Sequence, residues 1–201
     1  MTVKRALVSW SGGKDAAWAL HRARAEYEIA ALVTTVADPG RFVPVHQIPE
    51  RWIAAQAAAL DLPLITVSLP QPCSNAEYAA RLRPVWDRAA QEGIEAIVFG
   101  DLFLADIRNW REELLSGTAI TPVFPLWQQP TRELAQEMLR GGLRATVCAP
   151  ATLAGRSFDS TFLEELPPDV DPCGENGEFH TFVTRMPGFN REISECAALF
   201  R

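Results

Sequence analysis

Apolar positions along the chain fall into short dense runs separated by longer amphipathic stretches. Ala6 to Trp10, Ile29 to Val36, Pro63 to Leu69 and Ala96 to Phe99 each read as a strand. The second run is apolar almost throughout, as expected for a strand covered on both faces. The stretches between them have helical character: Asp15 to Ala25, Pro49 to Leu60 (Trp52, Gln56 and Ala59 at helical spacing) and Leu104 to Leu115. Pro49 suits a first helical turn. Ser74-Asn75-Ala76-Glu77 has the form of a capping box that opens another helix. Pro84 lies inside that helix and predicts a kink or two short helices.

Beyond residue 120 the pattern changes. Val123 and Phe124 are crowded by Pro122 and Pro125, which excludes a long central strand. Thr131 is placed to cap a helix running to Leu139, closed by Gly141-Gly142. Arg144 to Cys148 reads as a strand, Phe158 to Leu166 as a short helix, and 169–183 as a loop leading into a strand in which Phe179, Thr181 and Val183 alternate. Arg41 to Ile48 is expected to be loop and carries His46. Strands alternating with helices predict an α/β fold with a mainly parallel sheet and helices on both faces. The proline-rich zone from Pro122 to Pro130 marks the expected boundary between residues 1–125 and a smaller unit, 126–201.

Composition narrows the function. The chain has 201 residues, is 48% apolar and carries a net charge of −6, so a basic nucleic-acid surface is not expected and no nucleic-acid partner is assigned. Four cysteines (Cys73, Cys148, Cys173, Cys196) show no Cys-x-x-Cys spacing and are expected to be buried apolar residues in a reducing, cytoplasmic setting. Lys4 and Arg5 precede only three apolar residues before Ser9, unlike a secretory leader. No apolar run approaches the roughly 18 residues that span a bilayer, so no membrane partner is assigned. A homodimer is compatible with the sequence.

The candidate chemistry lies in two stretches. The first is Ser9-Trp10-Ser11-Gly12-Gly13-Lys14-Asp15-Ala16, a strand end, a glycine turn and a helix start. Helix starts offer free N–H groups and a positive dipole end to anions. A Walker A loop would need glycine where Val8 stands, and no Gly-x-Gly-x-x-Gly occurs. The remaining string, Ser-Gly-Gly-Lys-Asp, resembles the pyrophosphate loop of ATP pyrophosphatases. Ala16 departs from that pattern, which usually has a serine there, and removes one phosphate-binding hydroxyl. In a doubly wound sheet ligands sit at the carboxyl ends of strands, and Gly100-Asp101 ends another strand at such a place.

The second stretch is Asp171-Pro172-Cys173-Gly174-Glu175-Asn176-Gly177-Glu178-Phe179-His180-Thr181. Its carboxylates can bind magnesium, hold ammonium or take a proton, and its imidazole can donate to an oxyanion or work as an acid or base. Together with Ser11 to Asp15, His46, Gln56-Ala57 and Phe99-Gly100-Asp101, the run Gly174 to Thr181 resembles the diphthine–ammonia ligase family, N-type ATP pyrophosphatases of the adenine nucleotide alpha hydrolase-like superfamily. The resemblance implies a Rossmann-like nucleotide domain with a smaller C-terminal α/β domain. It also implies an ATP-dependent, AMP-forming amide ligase, in which a carboxylate is adenylated and ammonia attacks. The implied cofactors are ATP and Mg2+. The acceptor is diphthine of elongation factor 2 if the source is archaeal or eukaryotic, and another carboxylate if, as the Arg- and Ala-rich composition suggests, it is bacterial.

On this resemblance Ser9, Ser11, Gly12, Gly13 and Lys14 hold the departing pyrophosphate, and Lys14 neutralises its charge. Asp15 and Asp101 either bind magnesium (for Asp101 also the ribose, beside Gly100) or cap the helices that follow them. His46 is a nucleotide contact or a plain loop histidine. Glu175, Glu178 and His180 carry the chemistry on the acceptor and ammonia side, and Glu175, Asn176, Gly177, Glu178 and Thr181 contact substrate. Two alternatives stand beside this reading: a nucleotide-binding protein with little catalysis, and a tRNA-modifying enzyme, which the acidic charge disfavours.

Overall fold

The computed structural model describes residues 3–193. The chain runs through β1 (Lys4–Ser9), α1 (Lys14–Ala23) and β2 (Tyr27–Asp38), then a two-rung antiparallel hairpin of β3 (Phe42–Val43) and β4 (Ile48–Pro49). It continues through α2 (Glu50–Ala59), β5 (Leu64–Pro70), α3 (Asn75–Gln91), β6 (Ala96–Val98), α4 (Ala105–Leu114) and β7 (Thr121–Val123). Five of these strands form a parallel sheet in the order β5-β2-β1-β6-β7. Strand order reverses between β1 and β6, which is where such sheets open a crevice. Then follow α5 (Thr131–Arg140), β8 (Arg144–Ala149), β9 (Ser157–Phe158), α6 (Ser160–Glu165) and β10 (His180–Arg185). Here the three strands make a small antiparallel sheet, β10-β8-β9. The fold is the expected α/β, Rossmann-like one with a smaller α/β addition.

Alternation along β1 explains how two cores form. Ala6 and Val8 point to one side and Leu7 to the other. The Leu7 side is covered by α3 through Leu82, Trp86 and Ala89. The Ala6 side is covered by α1, whose Ala16, Ala17, Trp18, Ala19, Leu20 and Ala23 are all buried. A helix buried so completely needs apolar neighbours all round. It has them because β10, α5 and α6 close over it with Phe182, Ala135 and Phe162, in the same core. The small sheet thereby brings β10 against the glycine turn that precedes α1.

Three local expectations need correction. The helix around Pro84 is one unbroken element, Asn75–Gln91, with the capping box Ser74–Glu77 in place. Pro84 lies exposed on its solvent side, where water can satisfy the carbonyl that a proline leaves unbonded. Thr131 does not cap α5: Pro130 stands at the cap and no side chain bonds the first turn. Residues 42–49 are a hairpin rather than plain loop. Pro122 sits on β7, the sheet's edge, where a missing N–H costs little.

Cys148 and Cys173 are buried and free, and Cys73 is half-buried. Burial pushes the Cys148 thiol up to about 12. Cys196 lies outside the described residues. Among the described residues no helix is long and apolar enough to cross a membrane.

Candidate functional site

The glycine turn after β1 is clamped from two sides. Gln56, fully buried on α2, donates through Nε2 to Gly12 O (3.0 Å) and to Val183 O (2.7 Å). Its Oε1 accepts from Trp10 Nε1 at 2.9 Å. From β10, Val183 N donates to Gly12 O at 2.9 Å, and Thr181 Oγ1 accepts from Lys14 N at 3.1 Å. Gly12 has φ +84°, and a Cβ there would stand 2.6 Å from Ile53 Cδ1. That conformation and that space both require glycine. At the far side of the turn, a Cβ on Gly100 would lie 2.7 Å from the backbone of Asp15 and Ala16. Gly100 thus lets the end of β6 approach the start of α1. In the sequence Gln56 stood out as a helix position and, through the resemblance, as part of a motif; its clamping role carried no local signal, because its partners lie up to 127 residues away.

Lys14 does not project from this turn. It is 1% exposed, and its Nζ donates to Asp15 Oδ2 at 2.9 Å and to Cys173 O. The rings of Phe179 and Phe158 flank it at 5.1 and 5.6 Å. Burial works against its charge, but the charge and hydrogen bond of Asp15, with Cys173 and Glu175 nearby, together outweigh burial and hold the pKa above the ordinary lysine value. The expected direct grip of Lys14 on pyrophosphate is therefore not what the structure shows. The ammonium is committed inward because the 171–178 loop supplies it with a carbonyl.

Two clefts open around the turn. The larger, about 480 Å³, is walled by Trp10, Val33, Leu69, Tyr78, Trp86 and Trp110. Trp86 and Trp110 both line it, and Trp86 Nε1 is buried without a hydrogen-bond partner. The smaller, about 220 Å³, is lined by Lys14, Asp15, Gly100, Asp101, Glu175, His180 and Thr181 among others. They adjoin along Ser9, Ser11, His46, Phe99 and Arg111. Ser9 and Ser11 thus stand at the junction, Gly13 is the N-cap of α1, and Gly13 N already donates to Ser11 Oγ at 3.3 Å.

Glu175 Oε1 accepts from Leu102 N at 2.8 Å. Burial, reinforced by the charges of Asp15 and Asp101, pushes its carboxyl up to about 7, against the pull of the Leu102 and Phe103 amides. A carboxylate poised near neutrality in a cleft is suited to proton transfer. His180 and His46 lie with ring centroids 4.8 Å apart. Burial, then the Lys14 charge, lowers the pKa of His180, and burial, then the adjacent His180 ring and the Lys14 charge, takes His46 down to about 3. Both imidazoles are neutral at neutral pH and keep one N–H to donate.

Glu178, expected beside substrate, stands outside both clefts. Its Oε1 accepts from Asp171 N (3.0 Å) and Asn176 Nδ2 (2.9 Å). Burial opposes its charge, but these hydrogen bonds outweigh it and lower its pKa. It braces the 171–178 loop that presents Glu175. Asn176 and Gly177 are exposed and also outside the clefts, and the Thr181 hydroxyl is taken by Lys14 N. The capping alternatives fail: the caps of α1 and α4 are Gly13 and Leu104, with no side-chain bond at either. Arg111, from α4, was missed. Its place on a charged helix with no buried residue gave no signal in sequence.

Asp15 Oδ1 and Asp101 Oδ2 are buried without hydrogen-bond partners, in the cleft that also holds Glu175. Among the described residues no three His, Cys, Asp or Glu side chains gather as a ready metal site. Magnesium, however, commonly takes one or two carboxylates and completes its shell with phosphate and water. The carboxylate oxygens of Asp15 and Asp101 fit that use.

A family profile described as the diphthamide synthase N-terminal domain matches residues 4–119. The diphthine–ammonia ligases of Bos taurus and Homo sapiens are each 30% identical over 115 residues, covering 51% of this chain and 43% of theirs. The match thus spans less than half of those two relatives. The mouse diphthine–ammonia ligase is 24% identical over 213 residues, covering 91% of this chain and 79% of its own. A solved structure described as a predicted subunit of tRNA methyltransferase from Methanocaldococcus jannaschii superposes with TM-score 0.46 at 18% identity, covering 94% of this chain and 100% of that one. With its glycine turn, Phe99-Gly100-Asp101 strand end and profile match over more than half its length, the chain belongs to the family of the diphthamide synthase N-terminal domain.

Proposed function

We propose that this chain is an ATP-dependent amide ligase that forms AMP and pyrophosphate. The observation that carries the reading is the pair of adjoining clefts, one aromatic and one rich in carboxylates, meeting at the glycine turn. An adenine base suits the first, and a polyphosphate carried on magnesium suits the second. A bound magnesium ion would draw charge from the phosphates, with Asp15 and Asp101 to hold it. Ser9 and Ser11 line the passage between the clefts, beside the Gly12-Gly13 turn, and take the phosphate chain. Lys14 acts on that chain as a fixed buried charge behind the turn rather than by contact. Preorganised charge of this kind is worth on the order of 100–1,000-fold in rate when removed.

Glu175 takes the proton that ammonium must lose before nitrogen can attack, since its carboxyl is held up to about 7. His180, kept neutral, donates its N–H to the carbonyl oxygen of the activated acceptor. The name of the relatives suggests diphthine or a similar carboxylate as acceptor and ammonia as nucleophile. The test is ATP–pyrophosphate exchange with candidate carboxylates. Labelled pyrophosphate entering ATP, only when an acceptor is present, supports adenylation. Production of ADP and phosphate instead would overturn it.

A further inference from the structure

Five residues line both clefts: Ser9, Ser11, His46, Phe99 and Arg111. A nucleotide lying across both must pass them. Within this set Arg111 alone carries a permanent charge, since an arginine keeps its proton at any relevant pH. Its guanidinium is fixed in place by two aromatic faces, 4.8 Å from the Phe99 ring centroid and 5.0 Å from that of Trp110.

What the guanidinium lacks is a hydrogen bond on Nε. Asp101 Oδ2 stands 3.6 Å away, which pairs the charges but is too long for a hydrogen bond. Both atoms are buried and without partners. Buried charged groups are normally both paired and hydrogen-bonded, and an unsatisfied one calls for an explanation. Here Asp101 stands too far away to take a hydrogen bond from Nε, and the side chain, partly exposed, lines both clefts, so the guanidinium keeps donors for a ligand oxygen. The base end of the passage is apolar and the other end carries carboxylates. The anionic group that follows a nucleoside is its first phosphate.

We propose that Arg111 binds the α-phosphate of the nucleotide, with Asp101 as the residue that positions it. In the ligase reading, on which only the catalytic part of this proposal rests, the acceptor carboxylate oxygen bonds to the α-phosphorus. The bond from that phosphorus to the bridging oxygen breaks, and its electron pair leaves with pyrophosphate. Charge then concentrates on the non-bridging α-oxygens, where the arginine fork donates. Arg111 is thus a catalytic residue as well as the feature that distinguishes a nucleotide from a nucleoside.

The test is calorimetric titration of the wild-type protein with AMP and with adenosine. A charge-assisted contact predicts AMP binding about tenfold to 100-fold tighter than adenosine. Arg111→Met is expected to keep adenosine affinity and abolish the preference. Should that variant fold poorly because Asp101 is left alone, Arg111→Met with Asp101→Asn removes both charges and is measured in its place. Equal wild-type affinity for the two ligands, or a preference that survives the substitution, overturns the proposal. ATP–pyrophosphate exchange separates the two readings. Exchange in the wild type that is unchanged in Arg111→Lys contradicts the catalytic role while the ligase stands. An AMP preference that Arg111→Met abolishes, without any exchange, contradicts the ligase while the phosphate contact stands.

Discussion

Replacing Lys14 by Met removes an ammonium from a site where the structure gives it two hydrogen bonds and two aromatic neighbours. Methionine fills much of the same space, so the loss is mainly electrostatic. Cys173 O is left without its donor, and the Asp15 carboxylate, with one oxygen already unpartnered, loses its counter-charge. Breaking a buried pair on one side costs about 3–5 kcal/mol. The Asp15 side chain keeps 27% exposure, so the lower figure, about 3 kcal/mol, applies. With a urea slope of about 2 kcal/mol per molar, the unfolding midpoint should fall by about 1.5 M. Adding Asp15→Asn should recover part of that loss, and the double-mutant cycle gives the coupling. Urea titration followed by tryptophan fluorescence measures all four proteins. An unchanged midpoint together with a large loss of ATP affinity would refute the buried-clamp view. It would show instead that Lys14 meets phosphate directly.

Gln56→Leu should destabilise the fold by about 3 kcal/mol, because Trp10 Nε1 and the carbonyl of Val183 lose their partner. Thermal unfolding tests this, and a loss under ~1 kcal/mol would argue against the clamp. Gly100→Ala places a Cβ 2.7 Å from the backbone of Asp15 and Ala16; ATP binding should be lost in a protein that still folds, as calorimetry and circular dichroism would show. The Glu175 carboxyl is raised from 4.5 to about 7 in the folded protein. The native state therefore binds the extra proton between those values. Stability from this group is full below pH 4.5 and declines as pH rises through 7. Melting temperature against pH should show that decline in the wild type and not in Glu175→Gln, and the same slope in both would exclude Glu175 as its source.

Local features were legible in the sequence, and features set by distant segments were not. The strand, glycine turn and helix at 6–23 announce themselves because neighbouring residues determine them. The almost wholly apolar Ile29 to Val36 likewise implied a strand covered on both faces, and β2 puts Leu32 and Val36 into one core and Ala31 and Val33 into the other. Lys14 was recognisable as the cation of the turn. Its inward direction depends on Cys173, 159 residues further on, and no local pattern carries that. Glu175 and Glu178 look equivalent in sequence. Asp171 and Asn176 fold back onto Glu178, while Leu102 turns Glu175 into the cleft. Arg111 sits among exposed charges on α4 and becomes distinctive only when Phe99 and Asp101 pack against it.

The most direct measurement is calorimetric titration of the wild-type protein with ATP in the presence of magnesium, followed by separation of the products. One nucleotide site spanning both clefts predicts a single equivalent of ATP bound, and slow appearance of AMP and pyrophosphate in equal amounts. Absence of binding at millimolar ATP would contradict the site itself, and ADP with phosphate would contradict its chemistry.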